Sequence, residues 1–276
     1  MSYFDYQRPG SLAEASDLLM RDDAVALAGG TDLLVALRHG TSDPGVVVDL
    51  KHIEDIGDEI VVAGDTLVIG GRVVMRQLVN DVAVNESFPA LVEAASVVGS
   101  VQIRNRATLA GNLCNASPAA DTVPPLLAHA AAVTIAGPRG ARVVPLEELF
   151  VGPGHTVIDR GEVLTTVEIP IPSRRPGSAF ARVTRRRGVD LATVNLACVV
   201  DEEGRARFGF GAVGPTPLVA ESTVDAVNSD EGLDELLSVT SPISDVRAGA
   251  DYRRAMLRVH TRRALHSALD DLKVAS

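Results

Sequence analysis

Only two cysteines, Cys114 and Cys198, occur in the 276 residues, and tryptophan is absent. Two thiols build no disulfide framework, and an iron–sulfur cluster generally takes four thiolates, so the chain holds none of its own. The six histidines are scattered, and no CxxC or HxxxH spacing pairs two metal donors, so no metal site is read. Aromatic residues make up 3%, which excludes a cage of rings as the binding device. Apolar runs are short, as at Val46–Val48 and Ala130–Val133, and none approaches the ~20 residues of a membrane span. The net charge of −10 argues against nucleic acid as a partner. The opening MSYFDYQRPG has no apolar signal core, which points to the cytoplasm.

What is present suits a folded chain of two domains or one large one. Hydrophobic residues reach 46%, enough to bury a core. The first segment alternates as α/β: Ser11 and Glu14 have capping-box spacing before a helical face of Leu12, Ala15, Leu18 and Leu19. Ala24–Ala28 and Val46–Leu50 read as strands, with helical turns over Leu33–Arg38. From about residue 57 the pattern becomes short β segments, at Ile60–Ala63, Leu67–Gly70, Val133–Ala136, Arg142–Pro145 and Val163–Ile169. Between them Leu78–Gly99 reads as helix, TLAGN as loop, and a further helix starts at Asp121 and Pro124. Pro170 and Pro172 stop the β pattern, and six arginines follow between Arg174 and Arg187. A hairpin over Leu191–Val200 and Arg205–Val213 and a helix over Tyr252–Leu272 complete the chain. The boundary falls at 172/173, with 1–172 divided near 56 and 57.

Two stretches carry chemistry. Residues Ala28, Gly29, Gly30, Thr31 and Asp32 follow a strand and precede a helix, with glycines that let the backbone approach a ligand. Outward amides in such a turn favour an anion such as phosphate, although a two-glycine turn is often only a turn. Neither GxGxxG nor a P-loop lysine is present. The second stretch, TLAGNLCNASPAAD, offers hydroxyl, amide and backbone donors at Thr108, Ala110, Gly111, Asn112, Asn115 and Ser117. It ends on Asp121, an acceptor suited to sugar or ribityl hydroxyls or else a helix cap. Two such loops roughly 80 positions apart suit a dinucleotide with two phosphates and two arms.

The segments LAGGTDLL, SVQIRNRATLAGNLCNASPAADTVPPLLA and GEVLTTVEIPIP, with SAFARVTRR, DYRRAM and the opening FDYQRP, occur in one order along nearly the whole chain. In this combination the sequence resembles the FAD-binding medium subunit of the molybdenum hydroxylases, relatives of the carbon monoxide, xanthine and nicotine dehydrogenases. The resemblance implies an α/β (α+β) fold: a two-part FAD domain of the vanillyl-alcohol-oxidase-like (PCMH) type, then a smaller domain with a three-stranded antiparallel sheet and helices. It implies that Ala28–Asp32 and Thr108–Asn112 hold the FAD diphosphate. Leu33 then follows the first loop against the cofactor, Asp121 bonds its polar chain, and Leu164 packs near the flavin. It also implies partners: a small [2Fe–2S] subunit and a large molybdenum-cofactor subunit, in a dimer of heterotrimers.

Two departures stand out. The family's TIGGN is TLAGN here, and Ala110 fits only where its φ is negative and the ligand does not press on its Cα. A lysine that some relatives carry after the AF phenylalanine is Ala181 here, followed by Arg182, which is either a candidate cation for a reduced flavin or a solvent-facing group. His155 and the run Arg185–Arg187 read as surface groups. With no nucleophile–base pair in the chain, the expected role is electron transfer rather than substrate chemistry. A stand-alone flavin oxidoreductase of the same fold, or a flavin-free assembly subunit, are the alternative readings.

Overall fold

The computed structural model describes residues 3–275. The chain begins with β1 (Asp5–Gln7), α1 (Leu12–Leu19), β2 (Ala24–Leu27), α2 (Leu33–His39) and β3 (Val46–Asp49). The strands form a parallel sheet in the order β1-β3-β2. The central strand, VVVD, is buried at every position, as a parallel strand covered on both faces should be. The Ser11 hydroxyl caps α1 by accepting the Glu14 N–H at 3.2 Å, and the Glu14 carboxylate accepts the Gly10 N–H at 2.9 Å. Ala15 and Leu19 then pack on Val46, Val48, Ile53 and Val163, which joins this sheet to the next part of the chain.

The second part runs through β4 (Ile60–Ala63), β5 (Thr66–Gly70), α3 (Met75–Asn80), α4 (Val82–Ser87), α5 (Pro89–Ser96), α6 (Val101–Arg104), α7 (Leu109–Cys114) and α8 (Val123–Ala128). It continues with β6 (Ala132–Gly137), β7 (Gly140–Pro145), α9 (Leu146–Leu149), the small hairpin β8 (Phe150–Gly152) and β9 (His155–Thr156), and β10 (Val163–Pro170). Its antiparallel sheet has the order β4-β5-β10-β6-β7. Alternate residues Leu67, Ile69, Val133, Ile135, Val167 and Ile169 face one core. That core is closed by Met75, Leu78, Phe88, Leu91, Leu109, Leu113 and Leu126 from the helices. The β10–β6 register shifts between Leu164 and Thr166, a bulge that lies where β10 reaches the cavity described below.

Three expectations are corrected here. Leu78–Gly99 is not one helix. Asp81 caps a new one by accepting the Val84 N–H at 3.0 Å, and Pro89 starts another after Phe88. TLAGN is not a loop: Thr108 is the N-cap of α7, and its hydroxyl accepts the Gly111 N–H at 3.0 Å. Asp121 does not cap α8, whose N-cap position is Thr122.

The third part contains β11 (Gly177–Val183), β12 (Val194–Val200), β13 (Arg205–Gly211), β14 (Leu218–Thr223), α10 (Val224–Asn228), α11 (Asp230–Leu237) and α12 (Ala250–Ala275). Its antiparallel sheet has four strands, β11-β12-β13-β14, and not the expected three. The fourth, LVAEST, lies at the edge and is half-exposed or exposed throughout, so no buried apolar alternation announces it. Leu257, Ala264, Leu265 and Ala268 of α12 pack on the sheet with Phe208, Phe210 and Leu196.

Candidate functional site

The turn after β2 is the first wall of the site. Gly30 has φ +77°, a left-handed conformation that lets the chain leave the strand and enter α2. Among the described residues, the backbone N–H groups of Gly30, Thr31, Asp32 and Leu33 meet no protein acceptor. They are the open donors at the start of a helix. Gly29 lies against a second segment: a Cβ added there would sit 2.1 Å from the Arg106 carbonyl oxygen. Only a residue without a side chain allows this approach, so two segments far apart in sequence meet backbone to backbone.

The second segment behaves differently from the sequence expectation. Its N–H groups are largely taken by protein. Leu109 donates to the Val73 carbonyl at 3.1 Å, Gly111 to the Thr108 hydroxyl at 3.0 Å and Asn112 to the Thr108 carbonyl at 3.0 Å. Among the described residues, only the Thr108 and Ala110 N–H groups of Thr108–Asn112 have no protein acceptor. Ala110 lies inside α7 and is not among the residues of positive φ, so its methyl fits the backbone there. The Asn112 side-chain oxygen accepts the Thr122 hydroxyl at 2.7 Å, which ties α7 to the turn carrying Asp121.

The two segments border one cavity of about 1090 Å³. This is above the roughly 300–1,000 Å³ usual for small-molecule sites and suits a long ligand. Ala28, Gly29, Gly30, Thr31, Asp32 and Leu33 line one side, and Thr108, Ala110, Gly111 and Asn112 line another. Asp121 and Leu164 also line it. Arg182 does not; it lies behind the wall. Its guanidinium donates to the Asp121 carboxylate at 2.8 Å, the Val97 carbonyl at 3.2 Å and the Asp190 carbonyl at 2.8 Å. Asn195 Nδ2 donates to the other Asp121 oxygen at 2.8 Å. Burial pushes the Asp121 carboxyl up to about 6, against the opposing pull of Arg182 and Asn195.

Lining residues that the sequence reading did not single out include Lys51, Arg106, Val97–Gly99 and the segment Val189–Leu191. Lys51 is already paired with buried Asp49 at 2.6 Å. Arg106 is exposed, and its guanidinium has no ion-pair or hydrogen-bond partner among the described residues. The basic run IRNR just before the second segment was its only signal in the sequence. Cys114 also lines the cavity; it is exposed to that space, while the chain packed around it desolvates the thiol and pushes it up to about 12. His155 is exposed outside the cavity, its Nδ1 2.9 Å from the Pro153 carbonyl.

These donors fit a dinucleotide. The open amides at 30–33 and the Arg106 charge suit a diphosphate, Asp121 suits hydroxyls, and Leu164, Val98 and Ile103 are apolar groups in the lining that suit a ring.

Comparison with known proteins identifies an FAD-binding family. Residues 2–172 match the family described as FAD binding domain in molybdopterin dehydrogenase. Residues 179–268 match the CO dehydrogenase flavoprotein C-terminal domain. The chain is 31% identical to the xanthine dehydrogenase FAD-binding subunit of Escherichia coli O157:H7, over 97% of this chain and 96% of the relative. It is 33% identical to the carbon monoxide dehydrogenase medium chain of Afipia carboxidovorans, over 96% of each. Among solved structures, the carbon monoxide dehydrogenase of Hydrogenophaga pseudoflava superposes with a TM-score of 0.90 at 30% identity, covering 97% of this chain and 98% of that one. The chain therefore belongs to the family of FAD-binding medium subunits of molybdenum-containing dehydrogenases.

Proposed function

We propose that this chain is the FAD-carrying electron-transfer subunit of a molybdenum hydroxylase complex. It takes electrons from the [2Fe–2S] clusters of a small partner subunit and delivers them to a terminal acceptor. A large molybdenum-cofactor subunit would oxidise the substrate, in a dimer of heterotrimers. One observation carries the reading: two segments about 80 positions apart meet at Gly29 and Arg106 and open onto a single large cavity. FAD supplies the chemistry, accepting electrons singly and releasing them in pairs.

The chain's own residues bind and orient. The N–H groups of Gly30–Leu33 and the Arg106 guanidinium hold the diphosphate; the second segment contributes its shape and the Thr108 and Ala110 N–H groups. Asp121 accepts from hydroxyls of the cofactor chain, and Leu164 packs against the ring. In this reading residues 1–172 form a PCMH-type FAD domain and 173–276 a separate C-terminal domain.

The test is purification of the chain with its genomic neighbours. Absorbance near 450 nm with co-purifying iron and molybdenum supports the reading. A colourless chain that binds no added FAD, or one that oxidises organic donors without partners, refutes it.

A further inference from the structure

Arg182 was a candidate either for a cation at the flavin or for a solvent-facing group; it does not border the cavity, and its side chain is largely out of water. One guanidinium instead joins three separate segments, and each of them does border the cavity. Its bonds reach the Val97 carbonyl at the end of α5, the Asp121 carboxylate after α7, and the Asp190 carbonyl in the β11–β12 connection. The side chain is 13% exposed and Asp121 9% exposed, so the pair is held largely out of water. Arg182 and Asn195 are directly opposed in the β11–β12 register, and each grips one oxygen of Asp121. A planar guanidinium spreads five N–H donors over a rigid fork, and here one terminal nitrogen serves Val97 and Asp121 while the other serves Asp190; an ammonium has its three donors on a single rotating nitrogen.

We infer that Arg182 is a positioning residue that, with Asn195, fixes Asp121 and draws the 97–99 and 189–191 segments into one cofactor wall without itself touching the cofactor. The part of this inference that concerns affinity rests on the reading of the cavity as an FAD site; the part that concerns the wall does not.

The Asp190 connection makes the wall directly measurable. Arg185, Arg186 and Arg187 lie in it and are exposed, so trypsin reports its order in the full chain without FAD. In Arg182→Gln the connection loses its anchor, and cleavage at 185–187 is expected to quicken about tenfold or more. FAD dissociation from the same variant is expected to rise about 10- to 100-fold, while the midpoint potential of the bound flavin stays at the wild-type value. Arg182→Lys, whose single nitrogen replaces the two that reach these acceptors, should fall between the two. In an Asp121→Asn background, Arg182→Gln should cost less affinity than in the wild type, because the shared carboxylate has gone.

Should Arg182→Gln fold poorly, Asn195→Ala tests the Asp121 grip alone, with weaker FAD binding and unchanged trypsin cleavage at 185–187 expected. Wild-type cleavage rates in Arg182→Gln overturn the wall assignment. A shifted flavin potential with cleavage and affinity unchanged overturns it in favour of a direct charge on the ring. A wild-type chain that binds no FAD removes the functional reading, whereas the cleavage result still decides whether Arg182 holds the wall.

Discussion

Replacing Gly29 with alanine should separate the two segments that make the cavity. The added Cβ would lie 2.1 Å from the Arg106 carbonyl oxygen, 2.8 Å from its carbon and 2.9 Å from the Ala107 Cα. A relaxed carbon–oxygen contact is about 3.3 Å or more, so one backbone must retreat by roughly 1 Å. All three obstructing atoms are main chain, and no rotamer change relieves them. Overpacking costs about 1–3 kcal/mol, and the absence of a flexible neighbour puts this case at the upper end. A loss of about 3 kcal/mol corresponds to roughly 150-fold in affinity. At Gly111 the nearest obstruction is the Thr108 hydroxyl at 2.8 Å, a side chain that can turn. Gly111→Ala should therefore cost nearer 1 kcal/mol, about fivefold. Gly152, with nothing within 4 Å, is the neutral control. The assay is titration of FAD into the apo-protein, followed by quenching of flavin fluorescence. FAD affinity in Gly29→Ala within threefold of wild type would refute the claim that the two segments build one site.

Other consequences can be measured in the same protein. Arg106→Ala should weaken FAD binding about tenfold, the loss of ~1.5 kcal/mol for a charge-assisted bond, while leaving the melting temperature of the apo-protein unchanged. Asp121 titrates near 6 when folded against about 3.9 unfolded, so folding takes up a proton between these values. Its contribution is therefore full below about pH 4 and is lost as pH rises through about 6; melting curves of Asp121→Asn against wild type should differ in that window. Asp245 runs the other way. Burial raises its carboxyl, but N–H donors of Arg247 and Ala248 and the Arg247 and Arg253 guanidiniums hold it well below the usual range. Its contribution is present above the ordinary carboxylate pKa and disappears as pH falls below it, which Asp245→Asn should abolish in acid melts. Arg253 itself is buried, bonding the Thr193 and Ala212 carbonyls and Asp245, so Arg253→Ala should cost about 3–5 kcal/mol in denaturant titration. Cys114 borders the cavity whereas Cys198 is buried in the C-terminal sheet, so maleimide should label the apo-protein slowly and only at Cys114, and bound FAD should block it.

Local signals were legible along the chain. Ser11 with Glu14, the apolar VVV of β3 and the alternation of β5 and β10 each identified an element, because caps and side-chain period act within a few residues. Asp81 and Pro89 also carried local stop signals inside Leu78–Gly99, and the helical spacing around them concealed the breaks. The edge strand β14 escaped because half-exposed residues lack a buried face to mark them. Ala110 was doubtful in isolation; its place inside α7 shows that the departure from TIGGN needs no left-handed residue.

The sequence alone determined which residues could hold a ligand: two small-residue segments, one carboxylate and the family order that joins them. Tertiary structure alone decided which of them meet. It placed Gly29 on Arg106, occupied most of the second segment's amides with Val73 and Thr108, left Arg106 without a side-chain partner among the described residues and turned Arg182 away behind Asp121. A sequence records each group's donors and acceptors, whereas their availability to a ligand depends on which acceptors the folded chain has already supplied from elsewhere.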